Sequence, residues 1–494
     1  MNKVIIRRLA TDVPGLDSLL GGGLSESSFN IIAGTPGSGK TTLAHQIMFS
    51  LVKPDYRALF FTVLGEPTLK MLRYQQQFSF FDISKVNRSI RFVNLADDLL
   101  QGDYERVLAR ITKEVEDFAP RLIFVDSFRS IVQASAAQDG PSLHLFVQQL
   151  GQRMTSWQAT TFMIGAYSMS ETDSNPIFTV ADGIIWMSQN LHRSSMVRKM
   201  QVIKMRGQSH TVGLHTFRIN ADGVKIFPRA IRPPETAGQA TYRPFPDGKR
   251  ISTGVPELDD MLDDGLPVGY SLLLVGPSGS GKTVLATKFL AEGARQGETG
   301  VIAAFEKSPS QLLSHRLDAL VKTGQVGIID TRALDLSIDE TLHDLIAMIK
   351  NMQAKRVVID SLSGFELALA PEFREDFRES LYRMISVLTA MGVTVLMTAE
   401  LEDRYSDLRF SSYGNAFLAD AIILQRYVEI AGQFRRVISV VKVRASAHSK
   451  DIRLFDIVDD EIRIGEPLFQ YEGILSGRPT SLPRPDRGTR GEWQ

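Results

Sequence analysis

Two lysines, Lys40 and Lys282, close runs of small residues with identical spacing. The first run is Gly34-Thr35-Pro36-Gly37-Ser38-Gly39-Lys40-Thr41, and the second is Gly276-Pro277-Ser278-Gly279-Ser280-Gly281-Lys282-Thr283. Both fit G-x-x-x-x-G-K-[ST] in full. The pattern suits phosphate. Glycines let the backbone curl so that successive N–H groups face phosphate oxygens. The lysine neutralises the outer phosphates, and the threonine hydroxyl ligates Mg²⁺. The candidate positions for ATP are therefore Gly34, Thr35, Gly37, Ser38, Gly39, Lys40, Thr41 and Thr42 in one copy. In the other they are Gly276, Ser278, Gly279, Ser280, Gly281, Lys282, Thr283 and Val284.

Further groups stand at the ends of apolar runs. Asp126 ends Leu122-Ile123-Phe124-Val125, and Asp360 ends Val357-Val358-Ile359. A carboxylate at the C-terminal end of such a strand sits near the loop and can hold a Mg²⁺ shell together with Thr41 or Thr283. The alternative is an Asp that caps the next helix. Hydrolysis also needs a group that orients or deprotonates water. Glu66 and Glu306 follow the strand after each loop helix and are the candidates, alongside Lys40 and Lys282. The alternative for each is a glutamate favoured at a helix start. Lys204 with Arg206, and Lys442 with Arg444, alternate at the ends of strand-like runs, so each pair shares one face. Lying about 160 residues past their own loops, they could close another subunit's site as arginine fingers do. Solvated strand ends are the alternative.

The elements that must position these groups occur twice. Apolar runs Phe29–Ala33 and Ser271–Val275 lead into the loops, and amphipathic stretches, Thr42–Phe49 and Val284–Leu290, follow them. Thr11-Asp12-Val13-Pro14-Gly15-Leu16-Asp17 returns as Thr253-Gly254-Val255-Pro256-Glu257-Leu258-Asp259, at the same offset of 242 that separates Lys40 from Lys282. Asp126 and Asp360 are offset by 234; Asp182 and Asp420, like Lys204 and Lys442, are offset by 238. Such drift is what loop insertions and deletions produce, and so long a period indicates tandem domains rather than a solenoid. Short β-branched runs alternate with helical stretches, which predicts an α/β fold with mostly parallel sheets covered by helices on both faces. The expected organisation is a first domain over 1–227, a Pro-rich linker over 228–248, a second domain over 249–475 and a basic, Pro-rich flexible tail over 476–494.

Composition narrows the function classes. The chain of 494 residues has no cysteine, which removes disulfides, zinc ribbons and thiol catalysis. Formal net charge is zero, which argues against a broad nucleic-acid surface. No apolar run approaches the roughly 18 residues that span a bilayer, and the N-terminus lacks a signal peptide's apolar core. A cytoplasmic protein with no membrane association is expected.

Taken together, these residues resemble the KaiC family of RecA-like ATPases, and the similarity runs from Val4 to Thr480. It rests on the two loops, the paired Asp-Ser strand ends, the K-x-R pairs, Gln425-Arg426-Tyr427-Val428-Glu429-Ile430 and Glu472-Gly473-Ile474-Leu475-Ser476-Gly477-Arg478-Pro479-Thr480. The resemblance implies tandem RecA-like P-loop domains, a homohexameric double ring and ATP bound between neighbouring protomers. It also implies that each K-x-R pair reaches the neighbour's nucleotide, and it leaves room for unidentified regulatory protein partners. Two departures matter. The family places two adjacent glutamates after the second strand, whereas here Gly65-Glu66 and Glu306-Lys307 keep one each. The family's adjacent Ser-Thr phosphorylation pair aligns with Ala416 and Phe417, which carry no hydroxyl; Ser411, Ser412 and Tyr413 lie just upstream. In addition, Glu400 ends a strand of the second half where the first half has Ala166. The leading expectation is a ring-forming regulatory ATPase that lacks phosphorylation at the usual positions. The competing ones are a nucleotide-dependent scaffold with little turnover, a Ser/Thr kinase, and a DNA recombinase, the last disfavoured by the neutral charge.

Overall fold

The computed structural model describes residues 6–63, 68–99, 104–134, 140–173, 175–192, 195–229, 248–305, 315–330, 336–374, 376–401, 419–474 and 479–481. Two compact units emerge, Met1–Arg229 and Ala230–Gln494. Glu66, Glu306, Ser411, Ser412, Tyr413, Ala416 and Phe417 lie outside the described residues, as do most of the linker and the tail.

In the first unit nine strands form one sheet: β1 (Phe29–Gly34), β2 (Ala58–Thr62), β3 (Ile90–Asn94), β4 (Leu122–Asp126), β5 (Thr160–Ala166), β6 (Gly183–His192), β7 (Ser195–Met205), β8 (His215–Asn220) and β9 (Gly223–Phe227). Their spatial order is 9-8-7-6-1-5-4-2-3. The stretch from β6 to β3 is parallel, whereas β7, β8 and β9 extend it as an antiparallel meander. The second unit repeats this with β10 (Ser271–Gly276), β11 (Gly300–Ala304), β12 (Val326–Asp330), β13 (Arg356–Asp360), β14 (Thr394–Glu400), β15 (Ala421–Ile430), β16 (Gln433–Val443), β17 (Ile452–Val458) and β18 (Glu461–Pro467). Its order, 18-17-16-15-10-14-13-11-12, is the same topology.

Strand alternation builds the core on both sides of each sheet. Ile31, Leu59, Phe61, Ile123 and Val125 face one layer, which includes helices α2 (Tyr104–Phe118) and α3 (Gly140–Ser156). Ile32, Ala58, Phe60, Leu122 and Phe124 face the other, which holds the loop helix α1 (Lys40–Leu51). Strands buried on both faces read as continuous apolar runs, which is why they are visible in the sequence. The second unit matches, with loop helix α4 (Lys282–Arg295) and α5 (His315–Lys322) on one face, and α6 (Ile338–Met352) and α7 (Phe377–Ala390) on the other.

The repeated Thr…Asp motif before each loop strand has a structural cause. Thr11 donates to Asp17 through its N–H at 2.9 Å and its hydroxyl at 2.8 Å. Thr253 does the same to Asp259, at 2.8 and 2.7 Å.

Two expectations need correction. The stretch after the first loop is buried nearly all round rather than amphipathic, with Leu43, Ala44, His45, Gln46, Ile47, Met48 and Phe49 all inside. The β8–β9 hairpin covers the side that would otherwise meet water, and Gln46 bonds to the backbone of Val224 there, at 2.7 and 3.3 Å. In the tail, Thr480–Ser481 pairs antiparallel with Tyr471–Glu472 instead of leaving the fold.

Candidate nucleotide sites

Each loop leaves the C-terminal end of the central strand, β1 or β10, between two parallel neighbours, and runs into a helix N-terminus. Glycine is required where the chain turns. Gly39 and Gly281 precede the helices at φ 96° and 102°, a region that side chains avoid. At Gly34, φ is 137° and a Cβ would overlap the Met187 carbonyl.

In the first site Lys40 is buried and donates from Nζ to the Thr35 carbonyl at 2.6 Å. Burial lowers its pKa, and the charge of Asp126 opposes the shift. Thr41 Oγ1 donates to Asp126 Oδ2 at 2.6 Å. In the second site Lys282 Nζ donates to the carbonyls of Gly276 and Pro277, both at 2.8 Å. Thr283 Oγ1 donates to Asp360 Oδ2 at 2.9 Å, and Thr398 Oγ1 donates to the other carboxylate oxygen. So Lys, Thr and Asp converge in both halves. In the second half the helix-capping role considered for Asp360 belongs to Ser361, whose side chain accepts from Gly364 N.

The residue set fits a nucleotide with its metal. Each lysine is satisfied by loop carbonyls at the centre of a curled glycine backbone, where phosphate oxygens would offer better partners. Each Thr–Asp pair brings together two oxygen ligands of the kind that a hard cation takes.

Glu66 and Glu306 lie outside the described residues, but the chain leading to them is placed. Val63 N donates to the Asp126 carbonyl at 2.9 Å, and Phe305 N donates to that of Asp360 at 2.9 Å. The strand that precedes each glutamate therefore ends beside the aspartate.

The K-x-R pairs do not join their own loops. Through β6, Lys204 is level with Ile31, three residues before Gly34, and the Arg206 N–H bonds to the Asp182 carbonyl beside Phe29. At about 3.3 Å per residue they sit roughly 10 and 16 Å back along the sheet from the loop. Lys204 Nζ and Arg206 Nη2 both donate to the Thr179 carbonyl, at 3.0 and 3.2 Å, so the pair does share one side. Lys442 Nζ donates to the Ala419 carbonyl at 2.8 Å, and Arg444 lies 3.3 Å from Asp420. Burial, then the neighbouring arginine, lowers the pKa of each lysine.

Several contributors escaped sequence reasoning. Asp182 and Asp420 tie the start of the loop strand, through Phe29 N and Ser271 N at 3.0 Å each, to Arg206 and Arg444 at 3.3 Å each. The repeated Ala-Asp dipeptides were the available signal. Gln189 Nε2 donates to the Pro36 carbonyl at 3.0 Å, and Tyr427 OH donates to that of Gly279 at 2.7 Å, so the strand after the site steadies each loop. Glu400 is exposed and in register with Gly276; Ala166 holds that place beside Gly34, with Arg129 Nη1 on its carbonyl at 2.5 Å. The two sites thus carry different charges at one corner.

Tandem parallel sheets, each with a glycine loop and a Thr–Asp pair at the central strand, define a duplicated RecA-like P-loop ATPase. A family model described as the KaiC ATPase matches the chain twice, over residues 9–231 and 251–468, and the chain belongs to that family. It is 27% identical over 504 residues to the circadian clock oscillator protein KaiC of Rippkaea orientalis, covering 97% of this chain and 92% of the relative. It is 28% identical over 500 residues to the circadian clock protein KaiC3 of Synechocystis, covering 96% and 95%. The protein is an ATPase with two nucleotide-binding domains. Among the described residues, no helix is long and apolar enough to cross a membrane.

Proposed function

We propose that this chain is a cytoplasmic regulatory ATPase that assembles into a homohexameric double ring, with each ATP held between neighbouring copies. Gly34–Thr42 and Gly276–Val284 cradle the phosphates, and Lys40 and Lys282 exchange their loop carbonyls for phosphate oxygens. Thr41 with Asp126, and Thr283 with Asp360, would hold Mg²⁺, which when bound neutralises charge that builds on the phosphates. Glu66 and Glu306 orient and deprotonate the attacking water. Lys204 and Arg206, and Lys442 and Arg444, complete the site of the next copy.

The observation that carries this reading is the placement of the K-x-R pairs. They lie roughly 10–16 Å back along the sheet from their own loops and are held there by backbone carbonyls and an aspartate, which suits action on another chain. Phosphorylation at the family's usual positions is not expected, because Ala416 and Phe417, which the resemblance sets there, carry no hydroxyl. The domain limits of 1–227 and 249–475 and regulatory protein partners belong to the same reading. The test is size-exclusion chromatography with light scattering, with and without ATP-Mg, followed by phosphate release from the same fractions. A hexamer that forms with ATP and releases phosphate supports it. A monomer at saturating ATP-Mg rules out the ring.

A further inference from the structure

The second unit contains an open pocket of about 340 Å³, set away from the nucleotide loop and lined in part by Gly254, Lys288, Glu292, Arg295, Arg316 and Gln325. It lies against α4, and Lys288 and Arg295 are six and thirteen residues past Lys282. At 1.5 Å per residue they are about 9 and 20 Å down the helix. A space of that size is within the range of small-molecule sites and far larger than one water needs.

Its charge is unusual. Lys288 has a side chain only 7% exposed, yet its ammonium is held by one carboxylate, Glu461, which is half exposed and shared with Arg316 at 2.9 Å. Arg295 is held by Glu292 at 2.7 Å. Behind this wall the fully buried Arg356 bonds to Glu298 at 2.8 Å and to the carbonyls of Ser252 and Phe289, while its Nη2 has no partner. Burying cations is costly unless they are well paired.

The first unit is an internal control. At the same offset Lys288 corresponds to Gln46, which is spent on the backbone of Val224, and Ala291 corresponds to Phe49. Phe49 is buried and packs on Phe81 and Phe80 at ring distances of 5.0 and 6.2 Å. Arg356, at the offset of 234 that relates Asp360 to Asp126, corresponds to Leu122, a core residue. At these three places the first half carries Gln46, Phe49 and Leu122, and the second carries Lys288, Ala291 and Arg356, so two cations and a smaller side chain replace an amide and two apolar side chains. A purely structural ion-pair network gives no reason for the space.

We propose that this cavity binds a small phosphate-bearing anion, separately from either nucleotide loop. The Arg316 guanidinium and the buried Lys288 ammonium, which share one half-exposed carboxylate, suit a phosphate group, and Arg295, held by both oxygens of Glu292, adds an exposed positive charge beside them. The test uses the full chain with both loops saturated by a non-hydrolysable ATP analogue and Mg²⁺. Isothermal titration calorimetry is run with inorganic phosphate and with glycerol 3-phosphate, against wild type, Arg316→Glu, Arg295→Glu and, as control, Lys53→Glu. We expect saturable binding of one anion per chain, weakened at least about tenfold in the two second-unit variants and unchanged in the control. Analogue binding should be equal in all four proteins, which checks the fold. Should Arg316→Glu misfold, Arg316→Gln removes the charge without adding an acid. No saturable binding in wild type, or equal binding in all variants, overturns the proposal.

Discussion

At the scale of single residues, the division of labour within each site is the first thing to test. Glutamine in place of Glu66 or Glu306 keeps size and hydrogen bonding but cannot take a proton from water. Loss of a general base typically costs about 10²–10⁴-fold. The intact site masks part of that in each single variant, so the double variant Glu66→Gln, Glu306→Gln decides. We expect steady-state phosphate release to fall by that factor while nucleotide binding holds; full release would remove both residues from the mechanism. His45 offers an independent test. It is fully buried on α1, stacked on Phe60 at 4.5 Å, with neither ring nitrogen bonded. Burial pushes its pKa down to about 3. The unfolded chain takes up this proton below about pH 6.5, whereas the folded chain does not until near 3. The unfolded state therefore binds more protons in that window, and stability is lost as pH falls through it. Between pH 7 and 4, His45→Leu should lose less stability than wild type in urea melts, by on the order of 3 kcal/mol at most. Parallel curves would remove His45 as an acid sensor.

At the scale of elements, what was legible in the sequence was what repeats and what is buried on both faces. The loop strands, the Asp-terminated strands and the loop helices follow from glycine spacing and unbroken apolar runs, and the structure places them at those positions. The Lys–Thr–Asp convergence was legible for the same reason, since strand ends in a parallel sheet gather at one edge. The antiparallel meander was not. Strands such as β7 mix Arg198 and Lys199 with apolar residues, and nothing local says what they cover. Its consequence is the burial of α1, which periodicity alone read as one-sided. Gln46 is the hinge of this difference, because it acts as a backbone-like partner for Val224. Gln46→Leu keeps the bulk but leaves the Val224 N–H and carbonyl unpaired. An unsatisfied buried group costs about 1–3 kcal/mol. Ile219 of the same meander faces Gly39, so the loop should loosen too. We expect a lower melting temperature and weaker nucleotide binding in the first unit, measured in a Lys282→Ala background. Unchanged affinity with lowered stability would show that the meander supports the helix but not the loop.

At the scale of the whole molecule, the question is whether one chain can complete a site. Each K-x-R pair lies roughly 10–16 Å back along the sheet from its own loop and is fastened to Thr179 or to Ala419 and Asp420. If the pairs act on a neighbour, two differently damaged chains should repair one another. In a Lys282→Ala background, Lys40→Ala chains lose their loop but keep their cations, while Arg206→Ala chains do the reverse. Each population alone should release little phosphate. In an equal, randomly assembled mixture, a working site needs a loop from an Arg206→Ala chain beside a cation from a Lys40→Ala chain. Each requirement is met half the time, so about a quarter of first-unit activity should return. Light scattering on differently tagged chains must show that the two co-assemble. Recovery near that fraction establishes action between chains. Co-assembled rings without recovery would mean that Arg206 serves the loop of its own chain, and that the fastening to Thr179 opens far enough to bring it there.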